Sequence, residues 1–325
     1  MALRISGFVL IAALTLMHRL LAFAQVASPT EAVYARSSQM NTKAPGSAST
    51  VSQSLPGTLQ KFPSFRSRYV KPREVDVWLP PGYEEDPALR YPVLYMQDGQ
   101  NLFDPATSYN GTTWGVAETI SSLAAAGTIR PAIVVGIWNT PKREAEYMPQ
   151  KAAALATKDD YAKAGIPAPN KLRKILSDEY LKFLVYELKP FIDGKYRTLP
   201  GQSDTMPMGS SMGGLISLYA VEQYPSVFGA AACLSTHWPA LNGVSVMYFK
   251  SHLPSLADHR LYFDFGTETL DAQYEPYQKE MDGALRSAGY IEGKNWITRK
   301  FEGAKHEEGA WRQRLDVPLV FLLGK

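Results

Sequence analysis

The sequence predicts a doubly wound α/β domain with a mostly parallel sheet, and three observations carry that prediction. Short β-rich runs alternate with helical patterns from about residue 59 to the C-terminus. Several runs are continuously apolar rather than alternating, as strands buried on both faces of a parallel sheet are. No second break in composition follows, so one core serves the whole stretch 59–325.

Arg4 precedes an apolar run over 5–17, and Ala22-Phe23-Ala24 supplies small residues at −3 and −1 of a cleavage point. That order describes a secretory signal peptide over 1–24, although His18 and Arg19 interrupt it. The run is shorter than the ~20 residues a bilayer span needs, so the mature chain is expected secreted or periplasmic, with no membrane contact. Residues 25–58 are rich in Ser, Thr, Ala, Gln and Pro and lack Phe, Trp and Ile, which predicts a flexible linker.

Strands are predicted over 73–79, 93–97, 133–137, 205–208, 230–234, 261–265 and 296–301. Helices are predicted over 116–126, 178–192, 214–224, 274–288 and 308–323, with Ser177 as an N-cap ahead of Asp178 and Glu179. Residues 140–176 break the rhythm, with Pro141, Pro149, Pro167 and Pro169 among charges and alanines. Such an excursion is a lid or binding insertion, or a plain surface loop; its place after a strand's carboxyl end favours a pocket role.

Composition excludes several function classes. A single cysteine rules out an internal disulfide framework, a Cys₄ zinc site and a C-x-x-C redox motif. Net charge is +3, and without residues 1–24 the chain has 32 basic side chains against 31 acidic ones. No basic run interleaved with aromatics appears, so nucleic acid is not an expected partner.

The chemistry-bearing motif is Gly209-Ser210-Ser211-Met212-Gly213, the one Gly-x-Ser-x-Gly of the chain, between a short apolar strand and a helical pattern. Glycine on both sides lets neighbouring backbone pass close and leaves Ser211 strained and exposed at the top of the sheet. The helix start behind it offers free N–H groups to an oxyanion, the Met212 N–H best placed. Pro207 lies inside the strand leading into this turn, so either that strand ends early or a bulge is present.

A serine nucleophile needs a histidine base, and the histidine needs a carboxylate to fix its tautomer. Folds with this turn place them in the order Ser, Asp/Glu, His, which selects His306, after the last strand. His306-Glu307 begins like a zinc-protease helix, but Ala310 stands where the second histidine belongs. Residues 266–271 offer two carboxylates: Asp271, which directly precedes a helical pattern, and Glu268 as the alternative acid. The second oxyanion donor is expected from Met96-Gln97-Asp98-Gly99-Gln100-Asn101, at the Gln100 N–H, with Gly99 permitting a sharp turn and Asp98 bracing the loop. Trp114, His237 and Trp238 are candidates to line the substrate pocket, with core packing the competing role. Cys233 reads as a buried small hydrophobe.

These residues resemble the esterase branch of the α/β-hydrolases, which holds esterase D-like enzymes, enterochelin-type siderophore esterases and family 1 carbohydrate esterases. The resemblance rests on Tyr-Pro-Val-Leu-Tyr-Met-Gln-Asp-Gly-Gln-Asn-Leu-Phe-Asp at 91–104, Gly-Ser-Ser-Met-Gly-Gly at 209–214, Tyr-Pro-Ser-Val-Phe at 224–228 and the 303–311 stretch around His306. It covers about residues 60–325. It implies a single-domain α/β-hydrolase fold, a triad of Ser211, Asp271 or Glu268, and His306, and no metal or cofactor; Pro207 in the elbow strand and the 140–176 insertion after the fourth strand depart from the family's pattern. It further implies an ester on a carbohydrate, such as a feruloyl or acetyl ester, or a siderophore-like ester. The expected function is an exported serine carboxylic-ester hydrolase. Its rivals are an acyltransferase on the same triad and a non-catalytic carbohydrate-binding module, against which all three triad members argue. Intact-mass measurement of the exported protein is expected to show residues 1–24 removed; a mass that retains them overturns the signal-peptide assignment.

Overall fold

The computed structural model describes residues 55–165, 174–255 and 258–325, all within one compact unit. Its strands are β1 (Thr58–Phe65), β2 (Arg73–Leu79), β3 (Val93–Gln97), β4 (Ile133–Ile137), β5 (Thr205–Ser210), β6 (Ala230–Leu234), β7 (Arg260–Gly266) and β8 (Trp296–Phe301). They form one sheet in the order β1-β2-β4-β3-β5-β6-β7-β8. Strands β3 to β8 run parallel, while β1 and β2 are antiparallel at one edge. The doubly wound, mostly parallel sheet is therefore as the sequence predicts. The expected signal peptide and most of the expected linker lie outside the described residues.

Helices α1 (Val116–Ala125), α2 (Arg143–Tyr147), α3 (Gln150–Ala153), α4 (Lys158–Lys163), α5 (Ser177–Phe183), α6 (Lys189–Lys195), α7 (Met212–Gln223), α8 (Val244–Phe249), α9 (Glu275–Ser287), α10 (Glu308–Gln313) and α11 (Asp316–Leu323) complete the fold. Leu94, Met96, Val134, Met206 and Met208 of the sheet pack in one cluster with Val116 and Ile120 of α1 and Leu319 and Leu322 of α11. Helix α7 is apolar around nearly its whole circumference and almost entirely buried, as a helix enclosed by its own domain is. Among the described residues no helix is long and apolar enough to cross a membrane.

The structure departs from the sequence reading at several places, among them four in its secondary structure that each have a physical cause; Ser211, expected exposed, is buried under its own site's loops. Strand β1 was not expected: it is an edge strand without a buried residue, so no apolar run announces it, and its first residue, Thr58, falls inside the expected linker. Its Pro63 sits where the register with β2 breaks, at an edge where a missing N–H is harmless. The expected helix 178–192 starts a residue early and is interrupted by a π-helical turn over Leu184–Leu188, beside Pro190, which cannot supply the next ladder N–H. Ser177 is not its N-cap, because the Ser177 hydroxyl accepts the Gln150 N–H instead. The expected helix 308–323 is two helices with a break at Arg314, and Pro318 lies in the first turn of the second, where proline is tolerated.

Strand β5 runs straight through Pro207. Thr205 O accepts from Gly229 N and Ser211 N donates to Leu234 O, so odd-numbered residues of β5 present their polar groups towards β6. The β6 register begins only at Met208, so the missing Pro207 N–H lies beyond that ladder and leaves pairing with β3 intact.

The carboxyl ends of β3, β5, β6, β7 and β8 all face one edge of the sheet, where α/β folds hold ligands. The loop after β3 lies flat on β4. A Cβ at Gly99 would stand 2.5 Å from the Gly136 carbonyl carbon and 2.7 Å from Ile137 N, both backbone. Glycine is required there by contact; the left-handed turn residue is its neighbour Asp98, at φ 57°. Gly99→Ala is expected to lower the unfolding free energy by about 1–3 kcal/mol, the usual range for overpacking, measured by urea denaturation. Unchanged stability would show that the loop does not rest on β4.

Candidate active site

Ser211 occupies the turn from β5 into α7 at φ 58° and ψ −124°, a strained conformation for any residue with a side chain. The glycines around it are fixed by proximity. A Cβ on Gly209 would lie 2.9 Å from the Gly213 backbone, and one on Gly214 would lie 2.8 Å from the Thr236 hydroxyl. The Ser211 carbonyl accepts from His237 N, which ties the turn to the loop after β6. As one of the first four donors of α7, the Met212 N–H has no partner within its own helix.

The loops after β7 and β8 bring a carboxylate and a histidine together. His306 Nδ1 lies 2.6 Å from Asp271 Oδ1, and both side chains are almost wholly buried. Glu268, the alternative acid, is exposed, and it is Asp271 that meets the imidazole. Thr269, at φ 56°, accepts the His306 N–H on its hydroxyl and so sets where the histidine loop begins. Burial by itself raises the Asp271 pKa. Hydrogen bonds from His306, Ser235 and the Gly266 N–H, with the charge of His306, more than offset this and hold the carboxylate below its ordinary range.

The loop after β3 is braced as its sequence suggests, but by a partner from the excursion. Arg143 of α2 grips Asp98 with two hydrogen bonds of 2.8 Å, Asn139 Nδ2 adds a third at 2.7 Å, and Asp98 N donates to Tyr147. Gln100 follows in the short 3₁₀ turn, its side-chain oxygen on Asn139 N and its carbonyl on Thr107. The start of the 140–176 excursion thus shapes the site edge, while 166–173 lies outside the described residues.

His237 sits beside this group, its Nδ1 2.6 Å from the Tyr274 hydroxyl. Burial, then the charges of His306 and Arg143, push its pKa down to about 3, so it stays a neutral imidazole at neutral pH. The two tryptophans are placed differently from the pocket-lining expectation. Trp114 is buried against Trp311 at 5.5 Å between centroids, and Trp238 lies between Phe249 and Phe263 with its N–H on Gln278. Both are core residues, Trp114 only 3% exposed and Trp238 1%. Two other aromatics reach His306 edge-on, Trp311 at 5.1 Å and Tyr274 at 5.7 Å between centroids.

Sequence reasoning missed Trp311, Arg143, Ser235, Arg314 and Glu308. Arg314 and Glu308 occur in a stretch that reads as a helix, where a charge ordinarily marks the solvent face. Glu308 is instead buried two residues after His306, with Asn101 Nδ2 donating to its Oε1 at 3.2 Å.

A strained serine at a strand-to-helix turn and a histidine on a buried carboxylate stand at the carboxyl end of one mostly parallel sheet. The family described as "Putative esterase" matches residues 67–322, and the chain belongs to that family. Over 267 residues it is 26% identical to an endo-1,4-beta-xylanase/feruloyl esterase of Xylanibacter ruminicola, covering 80% of this chain and 30% of that protein. Among solved structures, a ferulic acid esterase aligns with a TM-score of 0.60 at 19% identity, covering 82% of this chain and 98% of that one. The enterobactin esterase of Shigella flexneri aligns with a TM-score of 0.61 at 18% identity, covering 83% of this chain and 61% of that one. These last two likenesses are of fold.

Burial pushes the Glu308 carboxyl up from 4.5 to about 7, with the Asp98 charge adding to it. Between those values the folded protein holds a proton that the unfolded chain has released, so this group costs stability as pH rises from about 4.5 to 7. Glu308→Gln keeps an oxygen for Asn101 and cannot ionise. It is expected to be more stable than wild type at pH 8 by up to about 3 kcal/mol and indistinguishable at pH 4.5. Urea unfolding at both pH values checks this; the same difference at each would overturn the assignment.

Proposed function

We propose that this esterase is an exported serine carboxylic-ester hydrolase whose substrate is an acylated carbohydrate or a siderophore-like ester. The observation that carries the reading is the 2.6 Å contact of His306 Nδ1 with Asp271, at the same sheet edge as the strained Ser211. Nδ1 holds its proton towards the carboxylate, which leaves Nε2 as the basic nitrogen. Nε2 takes the Ser211 hydroxyl proton as Oγ attacks the ester carbonyl carbon. The N–H groups of Met212 and Gln100 stabilise the oxyanion, and imidazolium is stabilised by Asp271. Collapse expels the alcohol, which takes the proton from His306. Water then repeats the sequence, releasing the acid and restoring Ser211.

The substrate class is supported by the relatives, a feruloyl esterase, a ferulic acid esterase and an enterobactin esterase. Export is supported by the charge, apolar run and Ala-Phe-Ala order of residues 1–24. A nearly balanced charge without those residues suits a neutral ester better than a polyanion.

Hydrolysis of a nitrophenyl ester tests the chemistry. Ser211→Ala is expected to lower kcat by at least about 10³-fold and Asp271→Asn by about 10²–10⁴-fold, while Glu268→Gln stays within roughly twofold of wild type. Full activity in Ser211→Ala removes the mechanism, and a dead Glu268→Gln beside an active Asp271→Asn reassigns the acid. Feruloyl, acetyl-xylan and siderophore-type esters, with product masses, then sort the substrate.

A further inference from the structure

Behind Asp271 stands a buried polar cluster that the mechanism above does not use. Its centre is Ser235, just past the end of β6. The Ser235 hydroxyl is 2.5 Å from Asp271 Oδ2, 2.8 Å from Arg314 Nη2 and 3.0 Å from Trp311 Nε1. Arginine and indole nitrogens only donate, so they fill the lone pairs of Ser235 Oγ, and its one hydrogen points at Asp271. The direction of that hydrogen bond is fixed by its surroundings.

Arg314 is held in turn by Asp264, through Nε to Oδ2 at 3.2 Å and Nη2 to Oδ1 at 2.9 Å. Arg314 and Asp264 cancel each other's charge, leaving the single negative charge of Asp271 for an imidazolium at His306 to neutralise. Trp311 touches both ends, edge-on to the His306 ring and hydrogen-bonded to Ser235.

The backbone at Ser235 points the same way. Its φ is 40°, with its N–H on Asp264 O at 2.9 Å and Oδ1 at 3.1 Å. Glycine adopts that conformation more readily than serine. A serine there is accounted for by its hydroxyl.

We propose that Ser235 is a positioning residue for the reaction: its hydroxyl, aimed by Arg314 and Trp311, pins one oxygen of Asp271 so that the other stays on His306. With the Gly266 N–H also on Oδ2 at 2.6 Å, the carboxylate cannot rotate away from the ring. The inference rests on His306 as the base that Asp271 orients.

Ser235→Gly separates the hydroxyl from the backbone, because glycine relieves the φ strain and removes only the side chain. It is expected to lower kcat about 10–100-fold, with KM within roughly twofold, while the thermal midpoint reads the separate balance of relieved φ strain against the Trp311 N–H left without its acceptor. The low-field proton NMR resonance of the His306 Nδ1–H is expected to shift or broaden. Trp311→Phe, which keeps a ring on His306 but deletes one donor to Ser235, should move that resonance by less. Wild-type kcat in Ser235→Gly, or a resonance unmoved in both variants, overturns the proposal. The NMR pair is repeated in Ser211→Ala, so the contact is read even without turnover. If wild type hydrolyses no ester, or Ser211→Ala matches it, the esterase mechanism fails instead.

Discussion

The site depends on keeping one buried carboxylate charged. Asp271 is enclosed by protein, and enclosure favours its neutral form. In the proposed mechanism a neutral Asp271 would neither fix the tautomer of His306 nor stabilise an imidazolium. The protein answers with donors on both carboxylate oxygens: the His306 ring on one, and Ser235 with the Gly266 N–H on the other. Arg314 stands 3.9 Å from Asp271, its charge taken up by Asp264 at 2.9 Å. That arrangement leaves the carboxylate ionised, with one oxygen on the His306 ring.

Holding those groups requires backbone that ordinary packing would not choose. Among the described residues six non-glycine positions have positive φ, and four of them, Asp98, Ser211, Ser235 and Thr269, belong to the loops of this site. Each strained residue is fixed by bonds from elsewhere: Asp98 by Arg143, Ser211 by Leu234 and His237, Ser235 by Asp264, and Thr269 by the His306 N–H. The rigid part is the parallel sheet, whose carboxyl ends place all five loops on one edge. Strain is concentrated where geometry matters to chemistry.

Much of this was legible in the chain. The buried parallel strands announce themselves by continuous apolar runs, and β1 escapes because an edge strand has no buried face to announce. Ser211 and His306 are legible because a glycine-bounded turn and chain order constrain them strongly. Asp271 is favoured over Glu268 in the sequence by its place before a helical pattern, and the path of the loop after β7 buries the one and exposes the other. For Trp114 and Trp238 the sequence favours core packing over a pocket role without deciding it, and their burial places both in the core.

The sequence by itself determined the sheet, the elbow and the order of its chemical groups, because each is written in local patterns a few residues long. The tertiary structure alone decided which acid meets His306, that Arg143 braces Asp98, and that Ser235, Trp311 and Arg314 converge behind Asp271. Those contacts join residues 35 to 79 positions apart, or 45 in the case of Arg143. No local periodicity encodes such a meeting. It follows from loops closing on a completed sheet, and from the cost of leaving a buried charge without partners.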